Sequence, residues 1–429
     1  MTTRPLRVAI NAQLRGDGHA GGIEPAVRGL VEILGRLDDD DTEYLVVTHP
    51  SAPHWLDAQL GQNQRVVVRS YPLRDGAPPW IEAAKRSLGP ARAMLGRARV
   101  AVRRALAVRP SYGPAVSNGF FESLGVDVVH FPYQAMVLTA LPSVYHPWDL
   151  QHLHYPEFFT PDTFARREAT YPAYCNHATA VVTASRFTRD DVITRYGISA
   201  HKVYTIPLAA GVDAGGMPTP AEVARVGDVY GLGAGFAFYP AQTWPHKNHG
   251  RLLEALALLR DRQGVVVRLV CSGTLNEFWP TIERRLAELR LGDQVRFLGF
   301  VPRSDLTALY HLAGFVVIPS LFEGWGFPLI EAFHEGVAVA CSSAAALGEY
   351  AGDGALLFNP TVTDSIADAV ARMATDAALR ETLARRGVER AKAFSWERAA
   401  RAHRALYRRV AGHELSEEER WLLQASLER

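Results

Sequence analysis

The sequence alternates short apolar runs with longer amphipathic runs almost from end to end. Short apolar runs are typical of strands buried on both faces of a parallel sheet, and the amphipathic runs between them are typical of the covering helices. A chain that repeats this β-α unit so regularly is strongly restricted in how it can fold. The pattern predicts an α/β protein built from parallel sheets with helices on both faces.

The alternation is interrupted once, by a stretch rich in Gly, Pro and Ala at 210–233 that is typical of a domain linker. Because the alternation restarts after it, we predict two doubly wound, Rossmann-like domains that face each other across a cleft, at 1–209 and 234–393, followed by a helical segment at 394–429. The predicted strands are 6–13, 43–49, 64–71, 126–132, 179–185 and 202–208 in the first domain, and 236–242, 265–273, 294–301, 315–320, 337–342 and 355–360 in the second.

Bulk properties narrow the functional classes. The 429 residues carry a net charge of +1, which implies no general attraction to nucleic acid. The three cysteines are scattered and odd in number, which favours free thiols in a reducing compartment. The N-terminus lacks a signal-peptide pattern, and no apolar run approaches the ~18 residues of a spanning helix. These features predict a cytoplasmic protein.

The segment "EGWGFPLIE" (323–331) joins a predicted strand to a predicted helix. In open parallel sheets, ligands bind beyond the carboxyl ends of the strands, and the N–H groups that begin a helix suit phosphate oxygens. Glu323 and Glu331 would repel phosphate, but they can accept hydrogen bonds from the hydroxyls of a sugar and a ribose. The segment therefore predicts a clamp for a sugar–diphosphate–nucleoside. The alternative is that both glutamates are ordinary helix-entry and surface residues.

A second segment, "YPAQTWPHKNHGRLLEAL" (239–256), has the same strand–loop–helix character. Asn248 is a suitable N-cap for the helix. Lys247, just before it, can neutralise a diphosphate and the charge that grows on a leaving group. The alternative is a solvated surface lysine.

With these two segments in place, the sequence resembles the family of retaining, nucleotide-sugar-dependent glycosyltransferases with the two-domain GT-B fold, family 4 (glycosyl transferases group 1). The resemblance extends in order over nearly the whole chain. It rests on "GGI" (21–23), "TASRFTRDDV" (183–192), "PAQTWPHKNH" (240–249), "LGFVPRSDLTALY" (298–310), "IPSLFEGWGFPLIEAF" (318–333), "GEYAGDGALLFNP" (348–360) and "FSWERAA" (394–400).

The resemblance implies a role for each matching residue. Glu323 would hold the hydroxyls of the donor sugar, Glu331 would accept the ribose hydroxyls, and Lys247 would bind the diphosphate. It also implies that the final helical segment crosses back to the first domain, and that no metal or cofactor is needed. The remaining predicted donor contacts are Gly21, Gly22, Phe300, Val301, Gly324, Gly326, Phe327 and Pro328.

The chain departs from the family pattern beside Lys247. Relatives often carry an arginine shortly before the lysine, where this chain has Gln242 and His246. One positive charge on the diphosphate is therefore missing or comes from elsewhere. Arg303 and Arg186 are possible sources.

A second departure lies in "SVYHPWDLQHLHYPEFF" (143–159), where Trp148 precedes Asp149 and relatives have a histidine. We include Asp149 with Glu323 and Lys247 in the predicted catalytic set. Three histidines are candidates for contact with the acceptor or the sugar, with purely structural roles as the alternative: His130, His152 and His154. His146, His152, His154 and Asp149 also suggest a metal site, although their spacing is not a strong zinc signature.

"GDGHAG" (16–21) formally matches a dinucleotide-binding loop. The second strand ends without the acidic residue that a dinucleotide fold uses for the ribose, and Glu24 would place negative charge near a pyrophosphate. We therefore interpret it as a flexible glycine loop near the donor phosphate and the acceptor.

The segment 80–110 carries eight basic residues against one acid, with apolar residues between them. It predicts a basic amphipathic helical insertion that rests on an anionic membrane surface or docks an anionic acceptor. The alternative is a helical hairpin that packs on its own sheet.

Taken together, the sequence predicts an enzyme that transfers a hexose, with retention, from GDP-mannose or a UDP-hexose to a hydroxyl of a saccharide, lipid-linked or small-molecule acceptor. The protein would lie in the cytoplasm or at the inner face of the membrane and would bind no nucleic acid. The alternatives are a nucleotide-sugar epimerase, a phosphorylase on the same fold, and a non-catalytic subunit that binds nucleotide sugars.

Overall fold

Two separate parallel sheets organise the chain. The computed structural model describes residues 4–18, 20–37, 41–69, 112–211 and 217–428. Over these residues, the first sheet has the order β3-β2-β1-β4-β5-β6-β7 and the second has the order β10-β9-β8-β11-β12-β13. The strands are β1 (Leu6–Asn11), β2 (Thr42–Thr48), β3 (Gln64–Val68), β4 (Val128–Phe131), β5 (Ser143–Tyr145), β6 (Ala180–Thr183), β7 (Val203–Thr205), β8 (Phe236–Pro240), β9 (Leu269–Ser272), β10 (Val295–Phe297), β11 (Ala313–Ile318), β12 (Val339–Ser342) and β13 (Ala355–Phe358).

Every described pairing between these strands is parallel, as predicted. The helices that cover the sheets are α1 (Ile23–Arg36), α2 (Phe120–Ser123), α3 (Gln151–His154), α4 (Pro161–His177), α5 (Arg186–Tyr196), α6 (Pro220–Tyr230), α7 (His249–Gln263), α8 (Trp279–Glu288), α9 (Arg303–Leu312), α10 (Phe327–His334), α11 (Ala345–Ala351), α12 (Thr363–Thr375), α13 (Ala377–Ala391), α14 (Trp396–Val410) and α15 (Glu417–Glu428).

The strand order places the loops that carry the predicted site. In each sheet the order reverses once, between β1 and β4 in the first sheet and between β8 and β11 in the second. A crevice opens at such a reversal, beyond the carboxyl ends of the strands. The loop after β8 carries Lys247 and the loop after β11 carries Glu323, so these two residues come from neighbouring strands at the crevice.

The strand predictions missed one element. Twelve predicted strands correspond to strands of the structure, but β5 spans three residues and was not predicted. Its apolar run "SVY" is too short to show a period and is followed directly by His146 and Pro147. All three residues are buried in the middle of the first sheet, so tertiary packing makes this segment a strand.

The predicted linker contains a helix. Within 210–233, α6 begins with a capping box in which Thr219 accepts from the Glu222 backbone and Glu222 accepts from the Thr219 backbone. Its residues Arg225 and Tyr230 bind Asp305 of α9 at 2.6 and 3.1 Å, so α6 packs on the second sheet's layer. The pattern Thr-Pro-Ala-Glu was a helix-start signal that the composition of the stretch concealed.

The last two helices lie on the layer of the first sheet. Helix α14 packs against α1, and α15 packs against α14 and β7. Trp396, at the start of α14, lies so close to Gly29 of α1 that a side chain at Gly29 would collide with the indole. The Trp396 indole also donates to the Ala210 carbonyl at 2.5 Å, which joins the two places where the chain passes between the halves.

The predicted basic insertion at 80–110 lies outside the described residues. Among the helices that the structure does describe, none combines the length and the apolar composition needed to cross a membrane.

Candidate active site

Lys247 and Glu323 form an ion pair in the crevice of the second sheet. Lys247 Nζ lies 2.6 Å from Glu323 Oε1, and their side chains are 16% and 13% exposed. Burial alone would raise the pKa of the Glu323 carboxyl, but Lys247, with smaller contributions from His246 and Ser320, outweighs it, so the pKa lies below its usual value. Glu323 is therefore ionised at neutral pH.

Buried polar contacts fix the two loops that carry this pair. Tyr239, which is fully buried in β8, places its hydroxyl 2.8 Å from the Lys247 carbonyl and 3.1 Å from Ser320 Oγ. The Leu321 N–H donates to the His246 carbonyl at 2.8 Å. The loops after β8 and β11 therefore form one connected unit.

Asn248 is the N-cap residue of α7, as predicted, but its side chain does not cap the helix. It has a left-handed φ of 60° and makes no side-chain cap. Its amide instead donates to the carbonyls of Pro319 and Pro360, both at 2.9 Å. Asn tolerates this backbone region, and its two amide hydrogens hold neighbouring loops together.

Helix α10 begins at the crevice. Gly326, the residue before it, has a φ of 109°, and Pro328 occupies its first turn. A left-handed glycine lets the chain turn sharply from the Glu323 loop into the helix, while Pro328 gives up an N–H that has no helical partner there. The helix ends at His334, shortly before Gly336, which has a φ of 68°. The start of α10 is thus suited to an anion.

Glu331 lies one turn into α10 and is already hydrogen-bonded. Its Oε1 pairs with Arg303 and its Oε2 accepts from the Tyr310 hydroxyl at 2.9 Å. It borders a cavity of about 830 Å³ that Arg303 and Tyr310 also line. An ionised carboxylate accepts about four hydrogen bonds, so Glu331 retains capacity for the two hydroxyls of a ribose.

The first half of the chain closes over the Glu323 loop. Ser185 Oγ donates to the Gly324 carbonyl at 2.9 Å. A Cβ added to Gly324 would lie 2.5 Å from the Trp148 carbonyl oxygen and 3.1 Å from the Cβ of Asp149. Gly324 therefore lacks a side chain because the Trp148–Asp149 segment lies against it. This close approach is between the two halves of the protein.

Other contacts hold the same closure. The backbone N–H groups of Arg186 and Phe187, at the start of α5, donate to Glu349 at 3.1 and 3.0 Å. The Tyr350 hydroxyl donates to the Ala184 carbonyl at 2.6 Å. An acidic side chain of the second half therefore binds the positive end of a helix of the first half.

The glycine loop also contacts the second half. A side chain at Gly18 would meet the ring of Phe300, and one at Gly22 would meet the ring of Phe327. The carboxylate of Glu24 accepts from the Gly18 N–H at 2.7 Å, so it binds its own loop. The loop thus lies beside two of the predicted donor contacts, and Phe300 is 58% exposed there.

The three candidate histidines lie in different surroundings. His130 is completely buried, 2.8 Å from the Tyr407 hydroxyl of α14, and it has no exposed atom for a sugar. His152 is equally buried and lies 3.0 Å from Glu168. Only His154 of these three is partly exposed. It pairs with Asp191 at 2.6 Å and lies beside the ring of Phe322. The placement of His130 and His152 does not support a sugar contact.

The candidate ligands of the alternative metal site point to separate partners. His146 stacks on Trp148 with ring centroids 4.8 Å apart, while His152 and His154 turn to separate carboxylates. Among the described residues, no three metal-binding side chains gather at one point.

Both predicted sources of the missing positive charge lie beside other carboxylates. Arg303 pairs with Glu331, and the side chain of Arg186 lies 3.7 Å from Glu349. Sequence reasoning missed Arg167 of α4, whose Nη1 lies 3.6 Å from Asp149 Oδ1. The apparent charge deficit was the signal, but nothing in the spacing of "FARREATY" (164–171) selects this arginine.

Comparisons with known proteins agree with this geometry. Residues 233–390 match the family described as Glycosyl transferases group 1. The chain is 34% identical over 248 residues to an O-antigen chain mannosyltransferase B of Escherichia coli, a match that covers 56% of this chain and 64% of the relative. The chain thus spans less than two thirds of that relative's length.

Solved structures share the whole architecture. Sucrose-phosphate synthase from Thermosynechococcus elongatus superposes with a TM-score of 0.65 at 20% identity, covering 95% of this chain and 99% of that one. HepE of Anabaena, solved in complex with UDP-glucose, superposes with a TM-score of 0.64 at 17% identity, covering 95% and 98%. The chain therefore has the two-domain GT-B fold, and its residues 233–390 are similar to the glycosyl transferases group 1 family.

Proposed function

We propose that this protein transfers a hexose from a nucleotide diphosphate sugar to an acceptor hydroxyl, with retention of the anomeric configuration. The observation that carries the proposal is the buried Lys247–Glu323 pair beside the start of α10. Such a pair can exchange partners when a donor enters. Lys247 then binds the diphosphate, and Glu323 accepts hydrogen bonds from the sugar.

The chemistry needs positioning and charge stabilisation more than a nucleophile. Negative charge grows on the diphosphate as it leaves, and a fixed ammonium group and helix N–H groups in a water-poor crevice stabilise that charge strongly. The departing diphosphate helps to take the proton of the acceptor hydroxyl. Glu331 accepts hydrogen bonds from the ribose hydroxyls in addition to those from Arg303 and Tyr310.

GDP-mannose and the UDP-hexoses are the leading donors. A matched relative is named as a mannosyltransferase, and a structural neighbour was solved with UDP-glucose. We expect a saccharide or lipid-linked acceptor, with no metal or cofactor in the reaction. We also expect any peripheral membrane contact to come from the basic segment 80–110.

The first experiment is a thermal-shift panel with UDP, GDP, ADP, TDP and their sugar conjugates. A ligand that binds only the native state raises the melting temperature. We expect a shift with one base in the wild type and in Glu283→Ala, a control on the exposed face of α8, and a smaller shift in Glu331→Ala. A panel without any shift would contradict the donor site.

The second experiment measures transfer to saccharide acceptors with the donor so identified. We expect Lys247→Ala and Glu323→Ala each to lower turnover by roughly 10²-fold or more, about 2.7 kcal/mol of barrier. The exposed Lys392→Ala is the matched control. Proton NMR of the product's anomeric centre tests retention. Product formed without acceptor would indicate an epimerase, and binding without turnover would indicate a non-catalytic subunit.

A further inference from the structure

Each half of the protein brings an ion pair to the closed crevice. Lys247 and Glu323 belong to the second half, and Arg167 and Asp149 belong to the first. Asp149 lies against Gly324, the residue next to Glu323. The two carboxylates are close enough for the charge of Glu323 to act on Asp149, and each has its own cation.

Arg167 is held in place by aromatic rings. Its guanidinium carbon lies 4.5 Å from the ring centre of Phe159 and 5.4 Å from that of Tyr171. Stacking of this kind suits a planar guanidinium and restricts its motion. Its Nη1, the atom directed to Asp149, is buried and has no hydrogen-bond partner among the described residues. The Arg167 side chain is therefore held beside Asp149, and its Nη1 donates a hydrogen bond to no other described group.

Two facing carboxylates in a crevice do not both ionise easily. Like charges at close range favour protonation of one of them, and burial has the same effect. Burial and the charge of Glu323 raise the pKa of Asp149, whereas Arg167, the Gln151 N–H and Lys247 lower it, with the net effect upward. Arg167 is the largest of the opposing influences.

One oxygen of Asp149 remains available. Oδ1 accepts from the Gln151 N–H at 3.0 Å and faces Arg167. Oδ2 has no hydrogen-bond partner in the described part of the chain, and the side chain is 24% exposed. The indole of the neighbouring Trp148 donates to the Pro132 carbonyl and stacks on His146. Of this dipeptide, Asp149 alone offers a polar side-chain atom to the crevice.

We propose that Arg167 is a positioning residue that keeps Asp149 ionised opposite Glu323, so that Asp149 accepts a hydrogen bond from a hydroxyl of the transferred sugar. The sugar is then held by one carboxylate of each half. This inference rests on the proposed function. It assigns to the first half a share of donor recognition that depends on closure.

The charged groups around Asp149 come from several elements. Arg167 and Tyr171 lie on α4, Lys247 and Glu323 come from the second half, and His152 lies on α3 within reach of the charge of Arg167. Burial and the charge of Arg167 lower the pKa of His152 to about 3, so removing Arg167 acts on His152 as well as on Asp149.

The first test needs no substrate. The titration of Asp149 is followed by NMR of ¹³C-labelled aspartate, with the signal assigned by its loss in Asp149→Asn. We expect the pKa of Asp149 to be higher in Arg167→Gln than in the wild type, and to return in Arg167→Lys. Arg166→Gln, an exposed neighbour on the same helix, is the control and leaves it unchanged. An unaltered titration in Arg167→Gln overturns the link between the two residues.

The second test is the pH profile of kcat/KM, with GDP-mannose or UDP-glucose, whichever the wild type turns over. We expect Arg167→Gln to lose on the order of tenfold at the acid end and to recover at alkaline pH, because a carboxyl that loses a nearby cation protonates at higher pH. An equal loss at every pH would mean a merely structural role and would overturn the proposal.

The two tests also separate this inference from the proposed function. A raised pKa of Asp149 with an unchanged profile would overturn the sugar contact and leave the proposed function intact. A wild type that turns over no nucleotide sugar would overturn the proposed function and, with it, the sugar contact. The NMR titration would still decide whether Arg167 controls the charge of Asp149. Thermal stability at pH 8 confirms that each variant is folded.

Discussion

Breaking the Lys247–Glu323 pair should separate stability from activity. We compare Lys247→Met, Glu323→Gln and the double variant. At 2.6 Å and an effective dielectric constant of ~20, the gross attraction of two unit charges is about 6 kcal/mol. Desolvation cancels a large part of this, since both side chains are mostly buried. Removing one partner leaves the other charge uncompensated, which costs about 3–5 kcal/mol.

The double variant should be far less unstable than the sum of the single variants. Replacing both partners of a buried pair by neutral groups of similar shape is often nearly neutral, so we expect a coupling energy of about 2–3 kcal/mol. Urea denaturation followed by circular dichroism measures it. Transfer activity should behave differently. Each single variant should lose roughly 10²-fold or more, and the double variant should not recover.

The outcome that refutes this reasoning is strict additivity of the stability losses. It would mean that the two groups are solvated independently and that the short contact does not persist in solution. Recovery of activity in the double variant would be equally damaging, because it would make the pair a structural element without a role in the chemistry. Lys392→Met with Glu389→Gln, an exposed pair three residues apart, provides the comparison, and its coupling should be below about 1 kcal/mol.

Three further predictions follow from buried groups. Gly324→Ala should place a methyl group 2.5 Å from the Trp148 carbonyl oxygen, and should lower kcat/KM while nucleotide affinity changes little. Gly250→Ala, which has open space around it, should change neither kcat/KM nor nucleotide affinity. Tyr239→Phe should lower the free energy of unfolding in urea by about 1–2 kcal/mol and reduce turnover, because two hydrogen bonds that fix the loops after β8 and β11 are lost. Unchanged turnover would contradict this. Thermal stability should fall below pH 6.5, because burial depresses the pKa of each histidine in the α14 contact below its unfolded value, so the unfolded chain binds more protons. The free energy of unfolding should then fall by up to about 1.4 kcal/mol per pH unit for each of these histidines. A melting temperature that stays constant from pH 7.5 to 5 would contradict this. These histidines are His130, His146 (pKa about 3) and His403 (pKa about 4).

The parallel sheets were predictable because their strands are buried on both faces. Such strands leave continuous apolar runs, and the loops after β8 and β11 carry Lys247 and Glu323 at positions that the runs alone identify. The binding of a sugar–diphosphate–nucleoside by "EGWGFPLIE" was argued from the same segment and stays a prediction. Short or capped elements were missed where the local signal was brief, as in β5, or masked by composition, as in α6.

Contacts between distant segments could not be predicted. Nothing near Glu331 in the sequence indicates that Arg303 pairs with it, and nothing near Asp149 indicates Arg167. Asn248 is a residue type that often caps helices, but its side-chain amide donates to carbonyls 71 and 112 residues away. Each of these depends on how the loops of two sheets meet, and that arrangement is decided by packing of the whole chain.

The bond from Trp396 to Ala210 has a mechanical consequence. The chain passes between the halves at two places, and this bond fastens them together into one pivot. Sliding of one half along the other would break this hydrogen bond, whereas a rotation of the halves about it would not. Gly211, the next residue, lies so close to Arg303 that a side chain there would collide with the guanidinium, and Arg303 holds Glu331. A rotation at this pivot would therefore be transmitted through Arg303 to Glu331, so, if Glu331 binds the ribose as proposed, we expect release of the nucleotide to keep pace with the opening of the crevice.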